Sequence, residues 1–330
     1  MPLECEQRNK IKRFSIIMPC FNITKSENYI ERLFKQTFTS FELIAVNDCS
    51  TDDTLSTLLN IQSRNQDFFD MKVINLEKNL GAGGARNVAI KASSGEYLLF
   101  LDSDDFLDSN CLEKINEILS KNNVDCLLFD YSTYNKQNKI EHHTFQKSGF
   151  ISLYNAFIFA SNGVSGKCVK RSIIEENNIC FLHLKRCEDF PFFRHCFLVS
   201  TNIFYLREAF YNYLTNVNSL MHNDELIDVN NAEKAFNYLA KITSDQKLLG
   251  ILFMKNCFYS NSVAMLETKT NRNDYRMRIK YLKKNYSNYC SIRFLKPYCF
   301  RIKCVSFLSY VGFYYLLKIS FYFYKRRTRV

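Results

Sequence analysis

The hydrophobic positions of the first 131 residues fall into two alternating patterns. Short apolar runs of strand length lie at 14–18, 41–46, 71–76, 97–101 and 124–131. Between these runs, apolar residues recur every three or four positions, which is the spacing of a helix that buries one face. Strands that alternate with helices favour a parallel sheet with both faces covered. The pattern therefore predicts an α/β fold, in which a Rossmann-like, mostly parallel sheet carries helices on both faces.

The remainder of the chain divides near residue 228. The preceding stretch mixes short strand-like and helix-like segments, whereas apolar residues return at helical spacing after Asp228. We therefore predict an N-terminal extension at 1–13, one α/β domain at 14–228 with halves 14–131 and 132–228, and a basic, membrane-associating C-terminal helical region at 229–330.

Polar clusters follow three of the predicted strands, at 19–22, 47–53 and 102–105. Ligands of such sheets bind outside the carboxyl ends of the strands, so the three clusters are expected to converge on one crevice. The third cluster holds Asp102, Asp104 and Asp105, and carboxylates this close raise one another's pKa unless a cation lies among them. The alternative is an Asx turn or the cap of the next helix.

Charge is distributed unevenly along the chain. The net charge is +11, but residues 269–330 contain sixteen basic residues and one acidic residue. This asymmetry predicts an anionic partner for the C-terminal region, either a membrane surface or a nucleic acid. The stretch 304–324 has Lys318 as its only charge, and its tyrosines, serines and basic flanks favour a helix lying in a membrane interface over a buried helix or a transmembrane span.

The cysteines and the N-terminus indicate a cytoplasmic protein. The thirteen cysteines are an odd number, contain no Cys-x-x-Cys pair and are scattered through predicted strands and helices. This usage is typical of reduced thiols that pack as small hydrophobic side chains. Residues 1–13 lack the apolar stretch of a signal peptide. We therefore expect a peripheral position on the inner face of the plasma membrane.

Five motifs in a fixed order resemble the family 2 glycosyltransferases of GT-A fold. They span about 14–222 and read IIMPCFN at 16–22, VNDCSTD at 46–52, NLGAGGARN at 79–87, GEYLLFLDSDD at 95–105 and ED at 188–189. The resemblance implies an inverting hexosyltransferase that uses a nucleotide sugar, most simply a UDP-sugar.

The resemblance also assigns roles to single residues on the donor side. It implies that Asp48 accepts a hydrogen bond from uracil, that Phe21 lines the uridine pocket and that Arg86 approaches the base or phosphate. An acceptor-only carboxylate suits a base edge that donates. The alternatives are a turn-forming aspartate and a solvated arginine. The full expected set for nucleotide binding is Pro19, Phe21, Asn22, Asp48, Arg86 and Asp102.

An Asp-x-Asp motif in this family holds Mn2+ or Mg2+ against the donor diphosphate. The matching residues here are Asp104 and Asp102, with His222 as a further candidate ligand, for which a surface histidine is the alternative. Asp105 could either cap the next helix or face the acceptor. The resemblance makes Asp189 the catalytic base that takes the proton of the acceptor hydroxyl, with Glu188 as a supporting acid. Two acids at a helix start are the alternative reading of that pair.

The resemblance, together with the basic aromatic C-terminal region, implies sugar transfer to a lipid-linked saccharide during synthesis of a surface polysaccharide such as lipopolysaccharide or capsule. Two other functions fit single features of the sequence. The glycines at 81–84 could suggest an oxidoreductase, but a third glycine and a first-strand position are missing. The basic C-terminal region could instead suggest a nucleic-acid-binding protein without transferase activity, although the acidic clusters would repel phosphates, so no nucleic acid is expected.

Overall fold

The computed structural model describes residues 12–23, 27–67, 69–135, 138–214, 229–267, 270–312, 314–315 and 317. The chain forms two compact units, Met1–Val217 and Asn218–Val330. The described strands all lie in the first unit, and the described part of the second unit is helical. The finer domain limits derived from the sequence stay a prediction.

A ten-stranded mixed sheet forms the centre of the first unit. Its strands are β1 (Phe14–Cys20), β2 (Phe41–Asn47), β3 (Asp70–Asn75), β4 (Tyr97–Phe100), β5 (Phe106–Leu107), β6 (Cys126–Asn135), β7 (Asn138–His142), β8 (Gly149–Ile151), β9 (Lys167–Lys170) and β10 (Ile203–Leu214). The order β3-β2-β1-β4 is parallel throughout, as the strand–helix alternation predicted. Strand β9 then lies antiparallel between β4 and β6, and β10 runs parallel to β6.

Helices cover both faces of this sheet, which confirms the predicted α/β architecture. They are α1 (Glu27–Leu33), α2 (Thr54–Asn65), α3 (Gly81–Ala92), α4 (Cys111–Lys121), α5 (Leu153–Phe159), α6 (Arg171–Glu176) and α7 (Asp189–Val199). Successive residues of β1 enter opposite cores: Ile16 packs in one, and Ile17 packs with Ala85 and Ala89 of α3 in the other. Strands buried on both faces explain why the sequence shows unbroken apolar runs rather than alternation.

The sequence predicts a capping box of Ser50 and Asp53 at the start of α2, and two short strands at 203–206 and 210–214. The structure corrects both predictions. Ser50 does not cap α2, because its hydroxyl donates to the Asn47 side chain and Asp52 accepts from the Thr54 backbone instead. The two short strands expected at 203–206 and 210–214 are one strand, β10, whose pairing with β6 is interrupted by register shifts between Leu206 and Tyr211. Such bulges bend a strand and redirect the side chains that follow.

The second unit consists of helices in its described part. They are α8 (Val229–Ile242), α9 (Gln246–Phe253), a π-helical segment (Met254–Tyr259), α10 (Ser260–Glu267), α11 (Arg272–Asn285), a short 3-10 segment (Ile292–Leu295) and α12 (Phe300–Val311). Among the described residues, none of the helices has both the length and the apolar character that a membrane crossing requires. The interfacial helix predicted at 304–324 overlaps α12, and most of its second half lies outside the described residues.

Candidate active site

The carboxyl ends of β1 and β2 meet at one edge of the sheet, as the sequence predicted. Asn22 adopts a positive φ of 54° directly after β1, and its backbone N–H donates to the Ser50 hydroxyl over 3.0 Å. Its side-chain oxygen accepts from the Thr51 backbone N–H at 2.9 Å. The loops after the two strands are therefore locked together. Pro19 lies near the end of β1, and Phe21 leaves 49% of its surface exposed beside them.

Asp48 connects this edge to the start of α3. Its carboxylate oxygen Oδ1 accepts from the Leu80 backbone N–H at 2.7 Å, and its carbonyl accepts from the Asn79 side chain at 2.9 Å. Asp48 is only 3% exposed. The residue therefore orders the turn into α3 in addition to the predicted role in uracil recognition.

The glycines at the start of α3 permit close packing against the Glu188–Asp189 segment. A Cβ atom placed on Gly83 would lie 3.0 Å from Cγ of Glu188 and 3.2 Å from Cβ of Phe181. A side chain at this position would force Glu188 and Phe181 to shift away from the helix. The sequence showed a glycine-rich motif but not what it approaches, so this contact was missed.

Arg86 lies at the centre of the site and joins its two sides. Its Nη2 donates to Oδ1 of Asp102 at 2.6 Å, and its Nη1 donates to Oδ1 of Asp189 at 2.8 Å. Glu188 lies 3.5 Å from the same Nη1. The arginine side chain is 4% exposed, so these ion pairs form largely away from water. The structure brings together Arg86, Asp102, Glu188 and Asp189, and the role of Arg86 in nucleotide binding stays a prediction.

Asp189 is the first residue of α7 and has the properties of a base. Its pKa is raised to about 7, because the effects of burial, Glu188 and Asp102 outweigh the lowering by Arg86 and Lys167. Its side chain nevertheless keeps 23% of its surface exposed, so a substrate hydroxyl can reach it. A carboxylate that titrates near neutral pH can both accept and release a proton under physiological conditions.

The three carboxylates after β4 have different environments. Asp102 is paired with Arg86, and Asp104 is half-buried with a pKa raised by burial and by Asp102. Asp105 is 1% exposed and accepts hydrogen bonds from the Tyr211 hydroxyl at 2.6 Å and the Leu214 backbone at 3.0 Å. Asp105 therefore anchors the end of β10 and does not cap α4, whose N-cap position is Asn110, while its role toward the acceptor stays a prediction.

The donor set around Asp102 and Asp104 fits a hard divalent cation in charge and chemistry. Three carboxylates, those of Asp102, Glu188 and Asp189, contact the guanidinium of Arg86, and the charge of Asp102 raises the pKa of the nearby Asp104. Mg2+ and related ions bind through one or two protein carboxylates plus substrate phosphates and water. Across the described residues, no cluster of three or more potential ligands forms a ready-made site. His222, the third predicted ligand, lies outside the described residues.

Comparisons with known proteins agree with this geometry. Residues 15–214 match the family described as "Glycosyl transferase family 2". The sequence is 32% identical over 211 residues to the poly(ribitol-phosphate) beta-N-acetylglucosaminyltransferase TarS of Staphylococcus aureus, covering 62% of this chain and 35% of TarS. The chain thus spans about a third of the length of that relative.

Two solved structures share the fold. Residues 1–349 of S. aureus TarS in complex with UDP superpose with a TM-score of 0.69 and 22% identity, covering 95% of this chain and 91% of that one. The mannosyltransferase PcManGT from Pyrobaculum calidifontis, in complex with GDP-Man and Mn2+, gives a TM-score of 0.56 and 13% identity, covering 92% and 87% of the two chains.

Proposed function

Because the chain belongs to glycosyl transferase family 2, we propose that it transfers a sugar from a UDP-sugar to a hydroxyl of a surface glycopolymer or of its lipid-linked precursor. The observation that carries this proposal is the guanidinium of Arg86, which holds the donor-side Asp102 and the acceptor-side Asp189 at its two ends. Family membership favours this transferase over the oxidoreductase and nucleic-acid-binding alternatives.

The proposed reaction is a single displacement at the anomeric carbon of the sugar. Asp189 takes the proton of the acceptor hydroxyl as its oxygen forms a bond to that carbon. The bond from the carbon to the phosphate oxygen breaks on the opposite side, and its electron pair leaves with the nucleoside diphosphate. Attack from the opposite side inverts the anomeric configuration. Arg86 holds the Asp189 carboxylate by one fixed hydrogen bond, which orients its remaining oxygen.

The donor side is proposed to bind the nucleotide with its metal ion. Asp48 and the exposed Phe21 would recognise the uracil, with Pro19 and Asn22 shaping the loop beside them. Asp104 and Asp102 would hold Mn2+ or Mg2+, which supplies positive charge for the departing diphosphate when bound. The UDP complex of TarS and the Mn2+ complex of PcManGT support this assignment.

Donor binding can be tested without an acceptor. We expect UDP-GlcNAc or UDP-glucose at saturating concentration with Mn2+ to raise the melting temperature by about 5 °C, since a ligand that binds only the folded state stabilises it. Asp104→Asn should remove most of the shift and its dependence on Mn2+. Asp67→Asn, which changes an exposed carboxylate just beyond the C-terminal end of α2, is the matched control. A full shift in the presence of EDTA would overturn the metal assignment.

The second unit is proposed to bind a membrane surface through α12. This helix buries the hydroxyls of Ser306 and Ser309 and exposes the apolar side chains of Phe300, Phe307 and Val311, which are 82%, 47% and 44% exposed. These three residues share one helix face by their spacing of seven and four. The surrounding sequence 270–312 has ten basic residues and one acidic residue. An apolar face with basic flanks is suited to an anionic lipid surface.

The adjoining groove between α11 and α12 adds to this electrostatic match. A cavity of about 270 Å³ is lined there by Arg276, Lys280 and Lys283 together with Tyr310. Lys283 Nζ lies 4.1 Å from the centre of the Tyr310 ring. The groove thus presents ammonium and guanidinium groups next to aromatic surface, as expected of a site that meets lipid phosphates.

If α12 binds a membrane, binding should depend on anionic lipids and on the exposed apolar face of the helix. Replacing both Phe300 and Phe307 with serine should weaken partition into phosphatidylglycerol vesicles by about tenfold, because two large apolar side chains no longer insert. Phosphatidylcholine vesicles should bind the unaltered protein weakly. Phe150→Ser removes an equally exposed phenylalanine from β8 and should have no effect. Unchanged sedimentation of the double variant with anionic vesicles would contradict the proposal.

A further inference from the structure

Lys167, at the first position of β9, is a buried lysine whose ammonium group is directed at one loop. Lys167 is only 2% exposed. Its Nζ donates to Oγ of Ser161 at 2.6 Å and to the carbonyls of Gly163 and Ser165. These bonds use all three donors of the ammonium. Burial and the charge of Arg194 together lower its pKa to about 7, against the opposing effect of Asp189.

A second buried cation holds the beginning of the same loop. Arg194 of α7 is fully buried and donates from Nη2 to the Ala160 carbonyl at 2.8 Å and to the Asn162 side-chain oxygen at 3.3 Å. Its helix begins at Asp189. One rigid element therefore carries both the base and an anchor of the loop, and Lys167 Nζ lies 4.9 Å from the ring of Phe193 on that helix.

The loop at 160–166 lies next to the carboxylate of the base. A Cβ atom placed on Gly163 would lie 4.0 Å from Oδ2 of Asp189. Apart from the two neighbouring residues in the chain, no other residue would have an atom within 4 Å of it. At the far end, Gly166 has a φ of 70° and lies so close to β6 that a Cβ atom would be 2.1 Å from the Phe129 carbonyl. The position of the loop is thus fixed at both ends and open beside Asp189.

We propose that residues 160–166 form the acceptor-side wall of the active site, and that Lys167 and Arg194 are positioning residues that hold this wall against Asp189. The inference rests on the function proposed above. The polar side chains of the loop, Ser161, Asn162 and Ser165, are small and uncharged, and hydroxyl and amide groups can both donate and accept hydrogen bonds. The oxygens of Ser161 and Asn162 already accept from Lys167 and Arg194, so these two side chains would act on the acceptor as donors. They suit a polyhydroxylated acceptor, a saccharide or a polyol, whose hydroxyls are both donors and acceptors. Two buried cations are an energetically costly way to hold a loop, which points to a need for fixed geometry.

Gly163→Ala is the sharpest test, because it adds one methyl group beside the base that touches Oδ2 of Asp189 at 4.0 Å without a steric clash. We expect the acceptor KM to rise by about tenfold or more, as one misplaced methyl group typically costs. The UDP-sugar thermal shift and the slow hydrolysis of the donor by water should stay within twofold of the unaltered protein. An unchanged acceptor KM would overturn the inference. Absence of transfer by the unaltered protein with every acceptor would instead count against the proposed function.

Lys167→Met provides the second test, since it keeps the length of the side chain and removes its charge. If the variant folds, transfer should fall through the acceptor KM while donor binding persists. Lys170→Met, the same change at the other end of β9, is the matched control and should be silent. An equal fall in donor binding, hydrolysis and transfer would assign Lys167 a general structural role and refute the positioning role. If Lys167→Met does not fold, the test uses Asn162→Ala, which changes an exposed residue of the loop. An unchanged acceptor KM in that variant would also refute the inference.

Discussion

Asp189→Asn is expected to lower the rate of sugar transfer by about a thousandfold, because an amide cannot accept the proton of the acceptor hydroxyl. Donor binding, measured as the UDP-sugar thermal shift, should be unchanged, since the asparagine oxygen can still accept from Nη1 of Arg86. The control is Glu176→Gln, which changes an exposed acid at the end of α6 and should retain full activity. Turnover close to that of the unaltered protein would remove Asp189 from the role of base.

The raised pKa of Asp189 adds a pH dependence to this prediction. Transfer should decline as the pH falls below about 7, because the base then carries a proton. The free energy of unfolding has the opposite pH dependence. A carboxyl whose pKa is raised on folding contributes its full stabilisation below about pH 4, and this contribution is lost as the pH rises through about 7. At pH 8 the asparagine variant should therefore melt no lower than the unaltered protein.

Arg86→Met should have the second largest effect, on stability as well as activity. The substitution leaves Asp102, Glu188 and Asp189 without their shared cation in a site where Arg86 itself is 4% exposed. Removing one partner of a buried ion pair costs about 3–5 kcal/mol of unfolding free energy. Transfer should be lost together with the orientation of the base. Urea unfolding and the transfer assay measure the two effects separately.

A double-mutant cycle identifies the cause of this destabilisation. Combining Arg86→Met with Asp189→Asn removes one of the uncompensated charges, so the double variant should be more stable than Arg86→Met alone. Arg86→Lys is the milder control, because it keeps the charge and loses the ability to bridge two carboxylates. Strict additivity in the cycle would show that the two residues do not interact in solution.

The sequence predicted the parallel part of the sheet, because the hydrophobic pattern of each strand there matches its burial in the fold. The unbroken apolar runs at β1, β2 and β4 specify strands buried on both faces, and their polar ends specify the crevice edge. The placement of Asp102 and Asp189 around Arg86 could be expected only through the family resemblance. The hydrophobic pattern alone does not show that residues far apart in the sequence, such as Arg86 and Asp189, are in contact in the fold.

The structural roles that the sequence did not reveal depend on tertiary contacts. Lys167 and Arg194 are charged residues, which are rarely buried, so no pattern marks them as anchors of a loop. Asp105 resembles its neighbours in sequence, yet Tyr211 on β10 encloses it. Gly83 is one of several glycines, and only the approach of Glu188 distinguishes it.

The insertion of β9 between β4 and β6 affects how the protein is made on the ribosome. Strands β1–β4 are complete once Phe100 has been synthesised, but the partner on the other side of β4, Lys167–Lys170, follows only 67 residues later. At about 5–20 residues per second, the edge of β4 stays unpaired for several seconds of translation. Open apolar strand edges recruit other chains. The nascent chain is therefore most vulnerable to aggregation in this interval, when a chaperone that covers β4 would have its greatest effect on yield.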